Sequence, residues 1–569
     1  MASRKCLGLA VLLCMFLLIS TRAVADDAVE RVFCNAKLFT ADPQRPYAEA
    51  VALRNDKIIA VGSCDEVKKA TGKTAEIADL HGQALLPGFI DSHTHAISGG
   101  LSLISADVSD KVQSMDDLVA FIAEARKTSK AMRGDVLSIS GMPLAFWSKT
   151  EELNGHFSAG MYAEIPVLLS GSDYHTGWAN RALLRRTGIT REFIRHLPET
   201  ERQYYGLSAD LEPNGFLVDA GMRKVQESLP APRKEQLLEA GRAALQYNHS
   251  AGITSWLDPL VDEPTLATYR QLSENGELSA HVVAFPQVFA HKPAEELENV
   301  QRLREQFKNV HNLAVSGVKI FADGVVEFPS QTAAMSKPYR NSGRKGELLF
   351  DPKRFAELVI AADKQGLIVH VHALGDRAVT ESLNGIGAAR KANGNSGLPH
   401  TLTHVQFAAP EDFPRFQRLG VVAALQLLWA SAEPDTIELV KPHLDPALYQ
   451  WQYPARSLLD NGAVISGASD WPVSSANVFL AMYQAETRKG PEGVLDPSQR
   501  MPREAMLYAY TRNSARAMNL QDVIGSMTPG KQADLVLIDR DILTVSPEEL
   551  KDAKVVWTMV GGKIVYRSN

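Results

Sequence analysis

Histidine, lysine and aspartate side chains stand at the ends of short apolar runs in widely separated parts of this chain. Each run has the length of a buried strand and leads into a turn, as at Val464–Asp470. In a β/α barrel the carboxyl ends of the strands meet at one face, so residues that follow different strands converge there. The residues are, in chain order, His93, His95, Lys319, His372, His404 and Asp470. This pattern predicts an α/β fold, a (β/α)8 TIM barrel, with a metal site at the strand ends.

The middle of the chain alternates apolar runs with amphipathic helical segments, which indicates a parallel sheet. The stretch from about 105 to 230 breaks this alternation, so we predict a large insertion after the first barrel strand. The predicted strands are 85–95, 252–258, 281–287, 315–321, 367–372, 401–405, 421–427 and 463–468.

Both ends of the chain are rich in short strands separated by turn residues, and Gly561-Gly562 predicts a hairpin turn. We therefore predict a composite β-sandwich formed by both termini. The predicted divisions are a signal peptide at 1–25, the N-terminal portion of the sandwich at 26–84, the barrel at 85–522 with its insertion, and the C-terminal portion of the sandwich at 523–569.

The first residues have the pattern of a cleaved export signal. Arg4 and Lys5 precede an apolar stretch, and Ala23-Val24-Ala25 is a small-x-small cleavage site. We expect a periplasmic or secreted protein with no stable membrane span after cleavage. Of four cysteines, Cys34 and Cys64 would remain, and an oxidising compartment permits a disulfide between them. Two buried thiols are the alternative, and the sequence leaves both open.

The composition excludes one class of partner. The formal charge is −6 and no Lys/Arg-rich run is present, so the sequence gives no case for nucleic acid. Apolar content of 45% is sufficient for a large core. The oligomeric state stays open, a homo-oligomer being one option.

The spacing of the histidines selects the candidate ligands. His93 and His95 are two residues apart and would share one face of a strand. His372 lies nearer its strand end than His370, and His404 nearer than His400, so His372 and His404 are the chosen ligands. Neutral imidazole is the commonest metal ligand in proteins.

Lys319 lies in an apolar strand, where an unpaired ammonium would be costly. Two explanations stay open: pairing with an acid such as Asp323, or an uncharged amine that has captured carbon dioxide as a carbamate, which could bridge two metals.

The chain resembles the amidohydrolase superfamily, and more narrowly its YtcJ-like branch (amidohydrolase family 3), which includes N-substituted formamide deformylases. The segments that carry the resemblance span nearly the whole chain beyond residue 25; they are Pro87–His95, Val318–Gly324, His372–Ala378, Thr403–Gln406, Gly467–Pro472 and Thr528–Leu535. The segment Val325–Pro329 departs from the pattern, which leaves the shape of the pocket and the substrate open.

The resemblance implies hydrolysis of an amide-type C–N bond, in an N-acyl or N-formyl amine or a related compound, by metal-activated hydroxide. His93, His95 and Asp470 would hold one divalent ion, His372 and His404 a second, with carbamylated Lys319 as the bridge and Asp470 as the catalytic base. Zn²⁺ is favoured, and Mn²⁺ or Fe²⁺ would also fit.

Within the insertion the resemblance assigns contacts with the small-molecule substrate to Asp173, His175 and Asn180. Aromatic residues such as Trp178 and Trp471 suggest an apolar group beside the scissile bond. The alternatives are a mononuclear metal deacylase and a non-catalytic binding or regulatory protein on the same fold.

Overall fold

The computed structural model describes residues 30–108 and 111–568. The predicted signal peptide lies outside the described residues. Within the described ranges, no helix is both long enough and apolar enough to cross a membrane.

The centre of the molecule consists of two parallel sheets, and each predicted strand from 252 onward has a counterpart in them. The first sheet has the order Leu313–Val315, His281–Pro286, Ile253–Val261, Phe89–Asp91. The second has the order Gly317–Phe321, Ile368–Ala373, Thr401–His404, Val422–Leu425, Val464–Gly467. Every pairing in both sheets is parallel.

Hydrogen bonds connect the two sheets on both sides. Gln287 forms a parallel bridge with Lys319. On the other side the Ser92 N–H donates to the Gly467 carbonyl at 3.0 Å, and the Asp470 N–H donates to the His93 carbonyl at 2.8 Å. The carboxyl ends of the first and last strands are therefore adjacent, and this adjacency brings His93 next to Asp470.

Helices alternate with these strands, and most of them bury apolar side chains. Helix Lys234–Ser250, for example, buries Leu237, Ala240, Ala244 and Leu245. Several helices begin at an aspartate whose side chain accepts a backbone N–H, as Asp262 and Asp351 do. The longer helices of this region are Ala96–Ile104, Lys234–Ser250, Glu263–Glu274, Pro293–Phe307, Pro352–Lys364, Asp376–Asn393 and Val478–Thr487. Shorter ones are Phe413–Leu419, Pro434–Ile437, Pro446–Tyr449, Ala455–Asp460, Arg503–Tyr508 and Ser514–Ala517.

Between the Phe89–Asp91 and Ile253–Val261 strands the chain builds a separate mixed sheet with its own hydrophobic core, which includes Leu118, Ile139 and Trp178. The strand order is Tyr205–Leu207, Pro213–Val218, Thr176–Ala179, Val167–Gly171, Val136–Met142, Met132–Arg133. Its helices are Met115–Ala125, Thr150–Phe157, Arg181–Arg186, Arg191–His196, Glu199–Arg202 and Ala220–Glu227.

Strands from both ends of the chain share one six-stranded sheet, with the order Lys563–Arg567, Val555–Val560, Leu535–Ile538, Ala84–Pro87, Lys37–Phe39, Tyr47–Ala48. A four-stranded sheet lies beside it, with the order Lys57–Gly62, Ala50–Arg54, Glu30–Cys34, Glu76–Asp79. Phe33, Leu53, Leu85 and Trp557 pack in one cluster that both sheets share. Gly561 and Gly562 have φ of 53° and 72° in the predicted hairpin turn, a backbone conformation that glycine adopts without strain.

The predicted first strand, 85–95, is wrong in its extent. Ala84–Pro87 belongs to the six-stranded terminal sheet, and only Phe89–Asp91 belongs to the parallel sheet. The chain passes from one to the other at Gly88, where a Cβ atom would lie 2.3 Å from a Thr254 methyl group. His93 and His95 therefore lie in the loop after the strand, with His95 immediately before helix Ala96–Ile104.

The two cysteines of the terminal region form a disulfide. Cys34 ends a strand and Cys64 begins helix Cys64–Lys69, and their Cα atoms lie 5.3 Å apart. This resolves the alternative that the sequence left open.

We expect the Cys34→Ala/Cys64→Ala double variant to lose about 2–4 kcal/mol of unfolding free energy in the terminal sheets, because the disulfide restricts the unfolded chain. Denaturant unfolding monitored by intrinsic fluorescence measures this change. A reducing agent should lower the stability of the wild type and leave the double variant unchanged. Equal stability of the two proteins would contradict a stabilising disulfide.

Candidate functional site

Asp470 is the centre of a cluster of imidazoles at the ends of the parallel strands. Its Oδ1 lies 3.1 Å from His93 Nε2 and 3.2 Å from His95 Nε2. Its Oδ2 lies 3.9 Å from His404 Nδ1. Three strand ends that are far apart in sequence thus contribute to one cluster, as the sequence predicts.

Asp91 holds the segments that carry this cluster. Its carboxylate accepts from the His93 N–H at 3.1 Å, the Ser469 N–H at 3.0 Å and the Ser469 hydroxyl at 2.5 Å. Asp91 is fully buried, and burial raises its pKa to about 7, although these hydrogen bonds oppose the shift. One buried side chain therefore fixes the loops after the first and last strands relative to each other.

Contacts of the ring nitrogens with neighbouring groups orient the imidazoles. His95 Nδ1 lies 2.9 Å from the Pro259 carbonyl, and His93 Nδ1 lies 2.6 Å from His370 Nε2. His404 Nδ1 lies 3.0 Å from Gln426 Oε1. Such contacts fix the tautomer and ring orientation of a metal-binding histidine. His370 lies behind His93, in the deeper layer that the sequence assigns to it.

The backbone at two of these residues is in the left-handed region. His404 has φ of 74° and Asp470 has φ of 58°. This region is uncommon for residues other than glycine, and such conformations are concentrated at functional sites. The packing around each strand end holds both residues in this conformation.

A second group of rings lies beside the first. The ring centroids of His372 and His404 are 4.6 Å apart, and those of His175 and His372 are 5.2 Å apart. His175 comes from the inserted sheet, and its Nδ1 lies 2.7 Å from Asp219 Oδ1. The inserted segment therefore contributes side chains directly to the site.

Lys319 is buried and does not form the ion pair with Asp323 that the sequence allowed. The Asp323 carboxylate accepts instead from the backbone N–H groups of Ala334, Leu374 and Gly375, at 2.8 to 3.0 Å. Lys319 Nζ lies 4.7 Å from the centre of the Phe321 ring, and burial lowers the pKa of the amine to about 7.

Burial keeps the imidazoles in the form that binds metals. It lowers the pKa values of His93, His372 and His404 well below the usual range, because a low-dielectric environment disfavours the imidazolium. Burial alone would raise the pKa of Asp470, but the close polar contact with His95 and the charges of His404 and Lys319 lower it.

The donor atoms fit a divalent metal ion. His93 Nε2 and Asp470 Oδ1 are buried and, although they lie 3.1 Å apart, neither has a partner in hydrogen-bonding geometry among the residues that the structure describes. Ligand atoms of His93, His404 and Asp470 all lie within 4.8 Å of one another. Buried polar atoms without partners are costly, and a metal ion would satisfy them. A cavity of about 480 Å³ is lined by all six predicted ligands, that is His93, His95, Lys319, His372, His404 and Asp470.

The comparison with known protein families agrees with this arrangement: residues 76–566 match the amidohydrolase family. The chain belongs to the amidohydrolase family. The resemblance predicted from the sequence motifs is thus confirmed.

Three relatives are similar over almost the full length of this amidohydrolase. Protein LONG AFTER FAR-RED 3 of Arabidopsis thaliana is 29% identical, over 95% of this chain and 92% of its own. The putative amidohydrolase YtcJ of Bacillus subtilis is 24% identical, over 94% of this chain and 98% of its own. The N-substituted formamide deformylase of Arthrobacter pascens is 24% identical, over 94% of this chain and 97% of its own.

A solved structure has the same fold. An uncharacterized metal-dependent hydrolase from Pyrococcus horikoshii aligns with a TM-score of 0.70 at 23% identity, over 91% of this chain and 99% of its own. At this level of identity the likeness establishes the fold type of the amidohydrolase and nothing about its substrate.

Two of the three predicted substrate contacts lie at the site, and the third does not. Asp173 and His175 line the cavity. Asn180 is fully buried at the start of helix Arg181–Arg186, where its Oδ1 accepts from Val167 N–H and Leu183 N–H. Its Nδ2 donates to the carbonyls of Phe157, Tyr162 and Ile165. All its hydrogen-bonding capacity is used, so Asn180 holds the inserted sheet together and the predicted substrate contact is wrong.

The aromatic residues predicted beside the scissile bond are also elsewhere. Trp178 packs in the core of the inserted segment, and Trp471 stacks on Tyr247. The sequence motifs miss Asp219 and Gln426, which contact His175 and His404. Asp219 has φ of 45°, but neither residue stands in a motif that could have identified it from one sequence.

We expect Asn180→Ala to lower the free energy of unfolding by about 2–4 kcal/mol, because it leaves several buried backbone groups without partners. Below the unfolding transition, kcat/KM should stay within about twofold of the wild type, since the side chain does not reach the cavity. Urea unfolding and initial rates measure the two effects. A large loss of kcat/KM at unchanged stability would instead support the predicted contact between Asn180 and the substrate.

Proposed function

We propose that this protein is a metal-dependent amidohydrolase that hydrolyses an amide-type C–N bond, in an N-acyl or N-formyl amine or a related compound. The observation that carries the proposal is the position of Asp470, whose carboxylate oxygens lie 3.1 to 3.9 Å from ring nitrogens of His93, His95 and His404, because this arrangement supplies candidate metal ligands and a base at one point. Similarity to an N-substituted formamide deformylase supports the bond type.

The proposal includes a closed fold. The two parallel sheets would form one (β/α)8 barrel, since hydrogen bonds connect them on both sides. The sheets made from both termini would form the composite β-sandwich, with the boundaries that the sequence predicts.

Two divalent ions fit the donor set. His93, His95 and Asp470 would hold one, and His372 and His404 the other. Lys319 would bridge them as a carbamate, and its burial without an ion pair among the described residues supports this. Imidazole-rich ligation favours Zn²⁺ over Mn²⁺ or Fe²⁺. Ions at such a site lower the pKa of water and polarise a carbonyl oxygen.

The residues of the chain provide the proton transfers and the orientation of the substrate. The Asp470 carboxylate would accept the proton of the attacking water and then give it to the leaving nitrogen. His175, held by Asp219, lies next to His372 and would orient the carbonyl group of the substrate. Asp173 lines the same cavity and would contact the amide.

We also propose that the protein is exported to the periplasm or secreted. The N-terminal signal pattern and the disulfide between Cys34 and Cys64 support this location, because disulfides persist in oxidising compartments.

We expect the purified protein to contain two metal ions per chain, and its native mass to show one added carbon dioxide. Elemental analysis and native mass spectrometry measure these, and a strong chelator should abolish hydrolysis of N-formyl amines. Lys319→Ala should remove the adduct, whereas Lys308→Ala, at an exposed lysine, should keep it. One metal without an adduct would favour the mononuclear deacylase, and no metal after reconstitution would favour a binding or regulatory protein.

We expect Asp470→Asn to lower kcat by about 10²–10⁴-fold, because the amide cannot accept the proton of the attacking water. The matched control is His156→Ala, which removes an exposed histidine of the inserted segment and should keep full activity. Metal content must be measured on each variant. Full turnover by Asp470→Asn with its metal retained would show that Asp470 is not the base.

A further inference from the structure

A second cavity of about 520 Å³ opens onto the same cluster of histidines. It shares Asp173, His175, His372, His404 and Asp470 with the first cavity. Its remaining walls differ in character. They include the carboxylates of Glu327, Glu433 and Asp435 and the rings of Trp429 and Tyr453.

Among the residues that the structure describes, no cation forms an ion pair with these three carboxylates. The charges that act on Glu327 are those of Asp435 and Asp173, and the charges that act on Asp435 are those of Asp173 and Glu433. Lys489 also lines the cavity, but its Nζ is paired with Glu548 at 2.9 Å. The cavity therefore has an excess of negative charge.

The arrangement raises the pKa values of the carboxyl groups in this wall. Limited access of water to the cavity wall, together with the neighbouring carboxylates, raises the pKa of Glu327, which is half-buried, to about 7. The same causes raise the pKa of Asp435, whose outer side is exposed to solvent, to about 6. A positive ligand would stabilise the ionised forms, since an opposite charge nearby favours the charged state of a carboxyl group.

A separate observation also points to a ligand. Gln406 lines the cavity, is 1% exposed, and donates from Nε2 to Glu327 Oε1 at 2.8 Å. Its Oε1 is buried and has no hydrogen-bond partner among the residues that the structure describes. A buried amide oxygen without a partner is uncommon and matches an N–H donor supplied by a ligand.

We propose that the second cavity binds a positively charged nitrogen of the substrate, which makes the substrate an amide of a diamine acylated or formylated on one nitrogen only. This inference rests on the proposed function. The free ammonium would donate to Glu327, Asp435 and Gln406 Oε1. The rings of Trp429 and Tyr453 would add cation–π attraction. The scissile amide would then lie at the histidines shared by the two cavities.

The kinetic test compares two substrates of equal length, mono-N-formyl diaminopentane and N-formylhexylamine, in which a methyl group replaces the ammonium. We expect kcat/KM of the metal-loaded wild type to favour the charged substrate by about tenfold or more. Glu327→Gln and Asp435→Asn should each reduce this preference by raising KM for the charged substrate alone. Glu438→Gln, an exposed carboxylate of the same segment outside the cavity, should keep the preference. An equal rate for both substrates, or a preference for the neutral one, would overturn the inference.

A binding measurement separates this inference from the proposed function. Butylguanidinium keeps its charge at every accessible pH, and butylurea is its neutral counterpart of similar shape. Calorimetry should show that the wild type and Glu438→Gln bind butylguanidinium more tightly than butylurea. The Glu327→Gln/Asp435→Asn double variant should lose about tenfold or more of that affinity. If no formyl amine is hydrolysed but this binding holds, the hydrolase proposal fails and the cation site stands. If hydrolysis occurs without the difference in binding, the inference fails and the hydrolase proposal stands.

Discussion

The site depends on one buried carboxylate, Asp91, which joins the loops after the first and last parallel strands. A buried carboxylate is costly, and here three donors from two segments offset the loss of water. One donor is the backbone N–H of His93, and the other two belong to Ser469, the residue before Asp470. The hydrogen bonds to Asp91 therefore hold His93 and Asp470 close together, with 3.1 Å between their side chains.

The sequence predicts the ligand set because each ligand follows an apolar run with the length of a strand. Such runs identify the carboxyl ends of strands, and one face of the fold collects these ends. The sequence does not predict the contacts between these candidate ligands. Asp91 and Ser469 are 378 residues apart, and no local pattern shows that their side chains meet. The predicted extent of the first strand is wrong for a related reason, since its apolar run is shared between two sheets and the change occurs at Gly88.

The inserted segment is the least predictable region of the site. Asn180 stands close to His175 in the sequence and therefore resembles a pocket residue. In the structure Asn180 begins helix Arg181–Arg186, whereas His175 lines the cavity. Asp219 looks unremarkable in sequence, yet it contacts His175 and accepts from the Thr332 hydroxyl at 2.7 Å. The Asp219 carboxylate thus links the insertion to the segment after the Gly317–Phe321 strand. The role of Asp219 depends on two segments meeting in space, so it cannot be identified from the sequence of either segment alone.

The two cavities divide the tasks of the site by electrostatics. The shared wall carries neutral imidazoles and Asp470, which suit metal ions and an amide. The outer wall of the second cavity carries carboxylates that form no ion pair among the described residues, and low-dielectric walls strengthen the field of such a group. That field attracts organic cations and repels substrates that end in a carboxylate. Glu327 belongs to this acidic wall and lies in the segment that departs from the pattern of the resembling family, whereas all six candidate metal ligands lie in the segments that carry the resemblance. The acidic wall is therefore the feature of the site that the family pattern does not predict.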